Sequence, residues 1–474
     1  MSNSAALNAA LAAHRFGLGE PSLAPLLGDA QGWLLAQIGP ADPARGDGLL
    51  LSTTQAVALA DELRQQVQQA RRMQAPAQPE MAAVPNTVDQ AVNGRYREIA
   101  LVDIRSRIVT SATTRRPFAE RLSLFWANHF TVSLAKASAR GLAGAFERDA
   151  IRPHIAGSFE SLLVAATTHP AMLHYLDNQL SAGPHSRVVE RGARRGEGME
   201  RVRRITGLNE NLAREVLELH TLGVNGGYGQ ADVTSFARIL TGWRTAPLRP
   251  DAAQAFDAAW HEPGGKVLLG KSYPEGPEAL RQALHDLAGH PSTARFLATK
   301  LARHFIADDP PAPVVERLVA TYRRTDGQLG EVYRELLRAP EAWAPEPAKL
   351  KTPEEFVVSA VRVLGLANSG SQPLFDRPDS LGIVGLGQRP MAAPSPAGWP
   401  DRAEDWLGPD AVWKRVEWAT RTADRLGRSI DARALAQASL GPLLSENTAR
   451  QIERAADGPQ ALALLLLAPE FQRR

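Results

Sequence analysis

Residues 208–222 read LNENLAREVLELHTL, and the spacing of their apolar side chains predicts an amphipathic helix. Asn209 is a suitable N-cap and Gly223 a suitable residue just beyond the C-terminal end, so the helix is bounded on both sides. On a helical wheel, Glu215 falls inside the apolar stripe. The stretch therefore predicts a helical element that carries one ionisable side chain in an unfavourable place.

Helical periodicity of this kind continues along most of the chain. We therefore expect an all-α, multi-helical compact assembly that forms a single domain over residues 1–474. The one good strand signal is at residues 266–273, where a small β-hairpin is expected at most. Segments 74–86 and 182–206 lack apolar periodicity, and we expect both to be mobile loops.

Composition excludes several classes of protein. The net charge is only +3 and seven of the 54 basic residues are lysine, a spread of arginine that does not indicate nucleic-acid binding. The absence of cysteine excludes disulfides, thiol catalysis and thiolate metal sites. The longest apolar run is too short for a membrane span, and the start lacks the basic region of a signal peptide, so a cytoplasmic protein is expected.

The carboxylate of Glu215 needs an explanation because a charge in an apolar stripe must be paired, bound to a metal or neutralised. Asn211 and Glu218 share its face of the helix, whereas Arg214 points away. Three interpretations remain open: a structural ion pair that joins two helices, a functional site, or an incorrect helical register in the prediction.

A second anomaly lies in PFAERLSLFWANHFT, residues 117–131, where His129 lies near the middle of a stripe that includes Trp126. A lone histidine in such a place is more often a satisfied core residue. A contact between His129 and Glu215 would instead create an acid–base pair. The same two side chains are the candidate ligands of a divalent metal, although no HExxH motif is present.

Other polar candidates give weaker signals. Asp177 ends a helical segment that leads into the arginine-rich loop, and a helix-cap role is equally compatible with it. Lys300 lies beside His304 on its own wheel, where snorkelling would explain it. His261 belongs to the loop WHEPGGK at residues 260–266, which matches no phosphate-binding pattern.

Several motifs together resemble the bacterial domain of unknown function 1800 family. They run in family order and are ERLSLFWANHF (120–130), PAMLHYLDN (170–178), GLNENLAREVLELHTLGVNGGYGQADV (207–233), ARILTGW (237–243), WHEPGGKVLLGK (260–271), KLARHFIADDPP (300–311) and PSPAGWPD (394–401). The resemblance implies a family but no reaction, because the family is named for lacking one.

The resemblance gives weight to a set of residues: Trp126, His129, Asp177, Asn178, Asn209, Glu210, Asn211, Arg214, Glu215, Glu218, Gly223, Trp243, His261 and Lys300. Many relatives have a histidine where this chain has Ala127, which weakens any mechanism that needs both histidines. The resemblance also implies a partner, a co-encoded alkaline-phosphatase-like protein of the domain of unknown function 1501 family, and with it export as a folded passenger.

Three functional hypotheses follow, and the third and weakest of them is storage of a metal or cofactor in the helical core. The first is an enzyme whose catalytic residues are Glu215, His129, Glu218, Asn211 and Asp177, with Trp126, Arg214, His261 and Lys300 binding an anionic or carbohydrate-like substrate. The second is a non-catalytic helical protein that binds the phosphatase-like partner. No sequence pattern chooses among hydrolysis, group transfer and redox chemistry, and the cofactor, if any, is a divalent metal at Glu215 and His129.

Overall fold

The computed structural model of the protein describes residues 2–46, 48–73, 87–194, 207–245, 254–366 and 382–474. Helices dominate, so the predicted all-α class is confirmed. None of the described helices combines the length and apolar composition needed to cross a bilayer. In chain order the α-helices are α1 Ser2–Leu11, α2 Ala30–Leu35, α3 Thr53–Met73, α4 Thr87–Thr113, α5 Pro117–His129, α6 Ala143–Phe146, α7 Phe159–Thr168, α8 Pro170–Tyr175, α9 Arg187–Arg194, α10 Asn211–Glu215, α11 Gln230–Leu240, α12 Pro277–Gly289, α13 Pro291–Phe305, α14 Ala312–Arg324, α15 Leu329–Arg338, α16 Pro353–Val363, α17 Pro409–Leu426, α18 Ala432–Leu440, α19 Glu446–Glu453, α20 Gly458–Leu467 and α21 Pro469–Gln472.

The predicted β-hairpin is present. Strands β3 Lys266–Leu268 and β4 Lys271–Tyr273 pair antiparallel, with Leu268 opposite Lys271. The two turn residues Leu269 and Gly270 have φ of 51° and 75°, the left-handed geometry of a tight hairpin turn. A second antiparallel pair, β1 Trp243–Thr245 with β2 Gln254–Phe256, was not predicted, because three-residue strands carry too little alternation to detect.

Proline starts many of the helices, which explains why their boundaries could be read from sequence. Pro117, Pro291 and Pro353 each occupy the first position of α5, α13 and α16. A proline is favoured there because its missing N–H would have no partner inside the helix. In α16 a capping box adds to this, since Thr352 and Glu355 exchange side-chain and backbone hydrogen bonds. These three helices surround the site described below.

The buried apolar side chains of the described residues form two cores. The first contains Phe16, Phe118 and Phe305, whose ring centroids lie 5.8 to 6.1 Å apart. The second is built from α16 to α21 around Phe356. Helix α4 joins them, because Ile99 belongs to the first core and Ile108 to the second. A boundary between two cores is a frequent place for a binding site.

The structure bears on only one of the two segments that were predicted to be mobile loops. Residues 74–86 and 195–206 lie outside the described residues. Within the remainder of 182–206 the expected loop is interrupted, because Arg187–Arg194 forms helix α9. The N–H of Val188 donates to the carbonyl of Ala259 at 3.1 Å, so the start of α9 is held against the loop that precedes the hairpin. A tertiary hydrogen bond therefore contributes to the stability of α9, although its sequence has no apolar periodicity.

A buried ion pair connects α5 to the chain that follows α6. The guanidinium of Arg152 binds both carboxylate oxygens of Glu120, at 3.0 and 2.6 Å, and the two side chains are 7% and 1% exposed. Arg152 also donates to the carbonyl of Asp42. Burying two charges is costly, and the cost is offset only when every hydrogen bond is made.

We expect Glu120→Ala to lower the free energy of unfolding by about 3–5 kcal/mol, because it leaves the Arg152 charge buried without a partner. Chemical denaturation monitored by circular dichroism measures this change. Glu316→Ala is the matched control, since Glu316 binds Arg295 with the same two-bond geometry at 56% exposure. Equal effects of the two substitutions would contradict the structural role given to the buried pair.

Candidate functional site

A cleft of about 290 Å³ opens between α5, α13, the start of α16 and residues 397–405. Helices α5 and α13 contribute to the first core and α16 to the second, so the cleft lies where the two cores meet. Its lining includes His129 from α5, together with Lys300, Arg303 and His304 from α13. These three α13 side chains share one helix face because they are three and four residues apart.

His129 is the last residue of α5 and is 2% exposed. Its Nε2 lies 3.1 Å from the carbonyl oxygen of His220, and its Nδ1 lies 3.0 Å from Nζ of Lys300. Since a carbonyl oxygen can only accept, Nε2 carries the proton and Nδ1 accepts a hydrogen bond from Lys300. Burial, together with the nearby Lys300, lowers the pKa of His129 well below its ordinary value. The imidazole is therefore neutral at physiological pH.

Lys300 is one turn before His304 on α13. Its ammonium lies 5.4 Å from the ring centre of Phe296 and donates to the neutral His129. Among the ion pairs of the described residues, none involves Lys300, which leaves its charge uncompensated by a direct carboxylate contact. Desolvation lowers its pKa to about 8, although Asp401 partly opposes the shift.

His304 and Asp401 form a second pair in the cleft, one turn along α13 from Lys300. Nδ1 of His304 lies 3.0 Å from Oδ2 of Asp401, and desolvation lowers the pKa of the imidazole despite this carboxylate. The neutral ring therefore donates from Nδ1 and leaves Nε2 as an acceptor. Nε2 is buried and has no hydrogen-bond partner among the described residues. A buried acceptor without a donor is costly, so this atom marks a position where a ligand can donate.

The carboxylate of Asp401 is held in its ionised form from three sides. Lys349 approaches Oδ1 at 3.5 Å and Arg474 approaches it at 3.4 Å, in addition to His304 on Oδ2. Burial alone would raise the pKa of Asp401, but the hydrogen bond from His304 and the charges of Arg474 and Lys349 outweigh burial and lower it. The negative charge that orients His304 is therefore fixed.

The segment PSPAGWPD closes one wall of the cleft. The side chain of Asn128 donates to the carbonyl of Trp399 at 2.9 Å and accepts from its N–H at 2.8 Å. Gly398 has φ of 84°, and a Cβ there would lie 2.5 Å from the backbone oxygen of Asn128. Only glycine fits this approach. The wall is thus fixed to the helix that carries His129.

The expected contact between His129 and Glu215 is wrong. None of the hydrogen bonds and ion pairs of the described residues joins them, and His129 pairs with Lys300 instead. Helix α10 continues as a π-helix, Val216–Thr221, whose buried face contains His220. Glu215 lies on the other side, partly exposed, where burial and the neighbouring Glu218 raise its pKa.

The helical wheel placed Glu215 on the buried face incorrectly, because the helix has two overlapping arcs of apolar side chains. The buried arc consists of Leu212, Ala213, Val216, Leu217, His220 and Thr221. The prediction centred the stripe on Leu219 and Leu208, which are only partly buried. Since Glu215 and His129 are not neighbours, they do not form one metal-ligand set. Across the described parts of the chain, no group of three His, Asp or Glu side chains is close enough to hold a metal ion.

The other predicted site residues on this side of the molecule make local contacts. Asn211 is exposed, and its N–H is capped by Asn209 at 2.9 Å. Arg214 donates to Gln230 at 2.9 Å and pairs with Glu210 at 3.4 Å. These bonds tie α10 to α11 on the surface.

Glu218 and Asp177 also lie away from the cleft lining. Glu218 is partly exposed, and the pKa of Tyr228 is raised by burial and by the nearby charge of Glu218. Asp177 has φ of 58° and forms an ion pair with Lys136 at 2.5 Å. Their predicted catalytic roles therefore have no connection to the cleft of His129 and Lys300.

Two of the predicted substrate-binding residues, Trp126 and His261, are not available to a substrate. Trp126 is fully buried and donates from Nε1 to the hydroxyl of Tyr333 at 2.6 Å, so it lies behind His129. His261 donates from Nδ1 to the carbonyl of Thr241 at 2.7 Å. Its Nε2 accepts from Lys266 at 2.9 Å and from Gly276 N–H at 3.1 Å. Both ring nitrogens of His261 are therefore occupied by the protein itself.

Sequence reasoning missed three important residues of the cleft: Arg303, His304 and Asp401. The run ATKLARHF, residues 298–305, contained a detectable signal, because Lys300, Arg303 and His304 fall on one helix face. Asp401 is 97 residues away from His304 in the sequence. Only the packing of the two cores brings these two residues together.

The fold and the cleft define a mainly α-helical protein that carries a lysine–histidine pair and an aspartate–histidine pair in one cavity. The profile of the family described as Protein of unknown function (DUF1800) matches residues 16–473, so the chain belongs to this family. Comparisons with curated proteins and with solved structures give no match. The resemblance inferred from the sequence motifs is thus confirmed.

The uncompensated charge of Lys300 predicts a specific pH dependence of stability. Its pKa is about 8 in the folded protein and about 10.5 for an ordinary lysine, so the unfolded chain binds more protons between these values. Stability rises with pH wherever the unfolded state binds more protons. We therefore expect the wild type to gain unfolding free energy relative to Lys300→Met between pH 8 and pH 10.5.

Urea unfolding at several pH values measures the difference between the two proteins, and Lys414→Met serves as a surface control because Lys414 pairs with Asp410 on α17. A constant difference across this pH range would contradict the uncompensated charge.

Proposed function

We propose that the cleft is the active site of an enzyme that uses general acid–base catalysis on a small anionic substrate. The observation that carries the proposal is the unpartnered Nε2 of His304, which is held by Asp401 on its other nitrogen. In this arrangement a substrate hydroxyl or a water can donate to Nε2 and lose its proton there. The aspartate stabilises the imidazolium that results, as in other carboxylate–histidine pairs.

The charges of the cleft support an anionic substrate. Arg107 and Arg121 lie in the lining, but Glu354 and Glu355 respectively neutralise them. Lys300 and Arg303 have no carboxylate within ion-pair distance among the described residues; Arg303 donates instead to the carbonyl of Asp308 at 3.1 Å. Two positive charges on one helix face are therefore available to a negatively charged group.

The size of the cavity limits the substrate. A cavity of about 290 Å³ is at the lower end of the range in which proteins hold small ligands. A carboxylic acid of a few carbon atoms, with a hydroxyl or carbonyl beside the carboxylate, would reach Lys300 and His304 together. The two available positive charges and the small size of the cavity together support a small anionic substrate.

We expect glycolate to bind more tightly than acetate by about tenfold, because its hydroxyl can donate to Nε2 of His304. Isothermal titration calorimetry measures both affinities. His304→Phe keeps an aromatic ring beside Phe125 and removes the acceptor, so it should bind both acids equally. Lys300→Met should weaken both. A wild type that does not distinguish the two acids, or a His304→Phe protein that still does, would contradict the role of Nε2.

Catalysis is tested by deuterium exchange at carbon in small keto and hydroxy acids, followed by NMR in D₂O. We expect Asp401→Asn to slow exchange by about 10²–10⁴-fold, because the asparagine no longer stabilises the imidazolium. Glu316→Ala, on the distant surface pair, is the folded control. Exchange that is equally fast in the Asp401→Asn protein would remove the general-base role from the proposal.

A second candidate function, the non-catalytic partner, is favoured by one surface feature. At the start of α17, Leu407, Val412 and Trp413 are 43%, 42% and 62% exposed. Neighbouring exposed apolar side chains of this size are typical of protein contacts. The co-encoded alkaline-phosphatase-like protein is the partner that this hypothesis names.

If this patch binds the phosphatase-like partner, Trp413→Asp should abolish co-elution of the two proteins in gel filtration after co-expression. The reason is that a buried, unpaired charge would replace the aromatic contact. Lys300→Met, which changes only the cleft, should still co-elute. Co-elution that survives Trp413→Asp would show that the patch is not the contact surface.

A further inference from the structure

Lys300 differs from the other described lysines in what surrounds its amine. Four of them form carboxylate pairs, namely Lys136 with Asp177, Lys271 with Asp286, Lys349 with Asp308 and Lys414 with Asp410. The remaining two are buried and closed: Lys266 donates to His261 and the Glu262 carbonyl, and Lys351 donates to Ser359. Among the described lysines, only Lys300 lines the cleft, where its amine donates to Nδ1 of His129 and has no described carboxylate within ion-pair distance.

We propose that Lys300 is a nucleophile that forms an imine with a small carbonyl compound carrying a carboxylate or another acidic group. This inference rests on the proposed function, because it assigns the substrate class of the same acid–base site. It uses three features of the cleft: an amine in its lining, a proton acceptor in contact with that amine, and a guanidinium one turn further along the same helix face.

The contact between Lys300 and His129 favours the first step of imine formation, which is deprotonation of the amine. An amine must lose its proton before it can attack, and desolvation has already lowered the pKa of Lys300 to about 8, so about a tenth of the amine is neutral at pH 7. Nδ1 of His129, 3.0 Å from Nζ, is the acceptor for a proton that leaves the nitrogen. Paired lysines in carboxylate contacts lack this combination.

The bonds and protons of the step balance without a further reactant. The lone pair of Nζ forms a bond to the carbonyl carbon, and the π electrons move to the oxygen, which takes up a proton. Loss of the second amine proton forms the C=N bond, and the oxygen leaves as water. Both protons on the departing water thus come from the amine, one of them through His129.

Arg303 and His304 determine how the bound substrate is oriented in the cleft. Arg303 has no carboxylate partner among the described residues and can bind the acidic group by a bidentate contact. His304 then lies beside the carbon next to the imine, where its free Nε2 can remove a proton. The imine withdraws electrons from this carbon, so the acid–base pair and the amine act on one substrate.

The experiment traps the imine with glyoxylate, an aldehyde that carries a carboxylate, in the presence of sodium cyanoborohydride. Reduction leaves a carboxymethyl group on the amine, which intact-mass and peptide mass spectrometry locate. We expect Lys300 to react faster than the 65% exposed Lys271 by about tenfold or more, because the amine of Lys271 is engaged in an ion pair with Asp286 and has no neighbouring imidazole nitrogen to accept a proton. Lys300→Arg keeps the charge and should give no adduct at this position.

Arg303→Gln separates anion binding from amine reactivity. It should slow trapping of glyoxylate at Lys300 by about tenfold and leave trapping of propanal, a neutral aldehyde, unchanged. Circular dichroism verifies that each variant is folded. Equal slowing for both aldehydes would contradict the role of Arg303 as the anchor of the acidic group.

The outcomes distinguish this inference from the proposed function. If glycolate binds as expected but Lys300 gives no adduct, the imine is overturned and the acid–base site stands. If neither glycolate binding nor an adduct is observed, both are overturned. An adduct spread evenly over the lysines of the folded protein also overturns the imine. A selective adduct at Lys300 that Lys300→Arg abolishes supports it.

Discussion

The geometry of the cleft depends on a chain of buried charges that joins the two cores. Glu355 at the start of α16 binds Arg121 of α5, and Arg474 bridges Glu355 to Asp401 at 3.1 and 3.4 Å. Arg474 is fully buried, so its charge could not remain there without both carboxylates. Because each charge has two or more partners, the relative position of α5, α16 and the wall segment is strongly constrained.

This constraint explains how uncompensated groups can exist beside it. Desolvation of Lys300 and the unpartnered Nε2 of His304 both cost free energy. The ion network described above is well packed and therefore rigid. It prevents small movements that would relieve these unfavourable free energies, such as a rotation of α13 toward Asp401. Unfavourable local chemistry that persists because its surroundings are rigid is typical of binding and catalytic sites.

The sequence predicted more of the fold than of the site, for physical reasons. Helix starts at Pro117, Pro291 and Pro353 and the hairpin at 266–273 follow from local rules, so they could be found by reading along the chain. His129 and Lys300 were recognised as polar residues in apolar surroundings. Their pairing could not be predicted, because it depends on the crossing of α5 and α13 and on a π-helical turn that places His220 behind His129.

The two histidines of the cleft are both neutral, yet their orienting partners give them different chemistry. His129 donates to the carbonyl of His220, a dipole that compensates little of a positive charge, and Lys300 stands on its other side. Protonation there would place two cations in contact. His304 donates to the ionised Asp401, which would stabilise an imidazolium. His304 can therefore keep a proton that it removes from a substrate, whereas His129 can hold a proton only briefly before transferring it. This difference agrees with a nucleophilic amine at Lys300, beside His129, and a general base at His304.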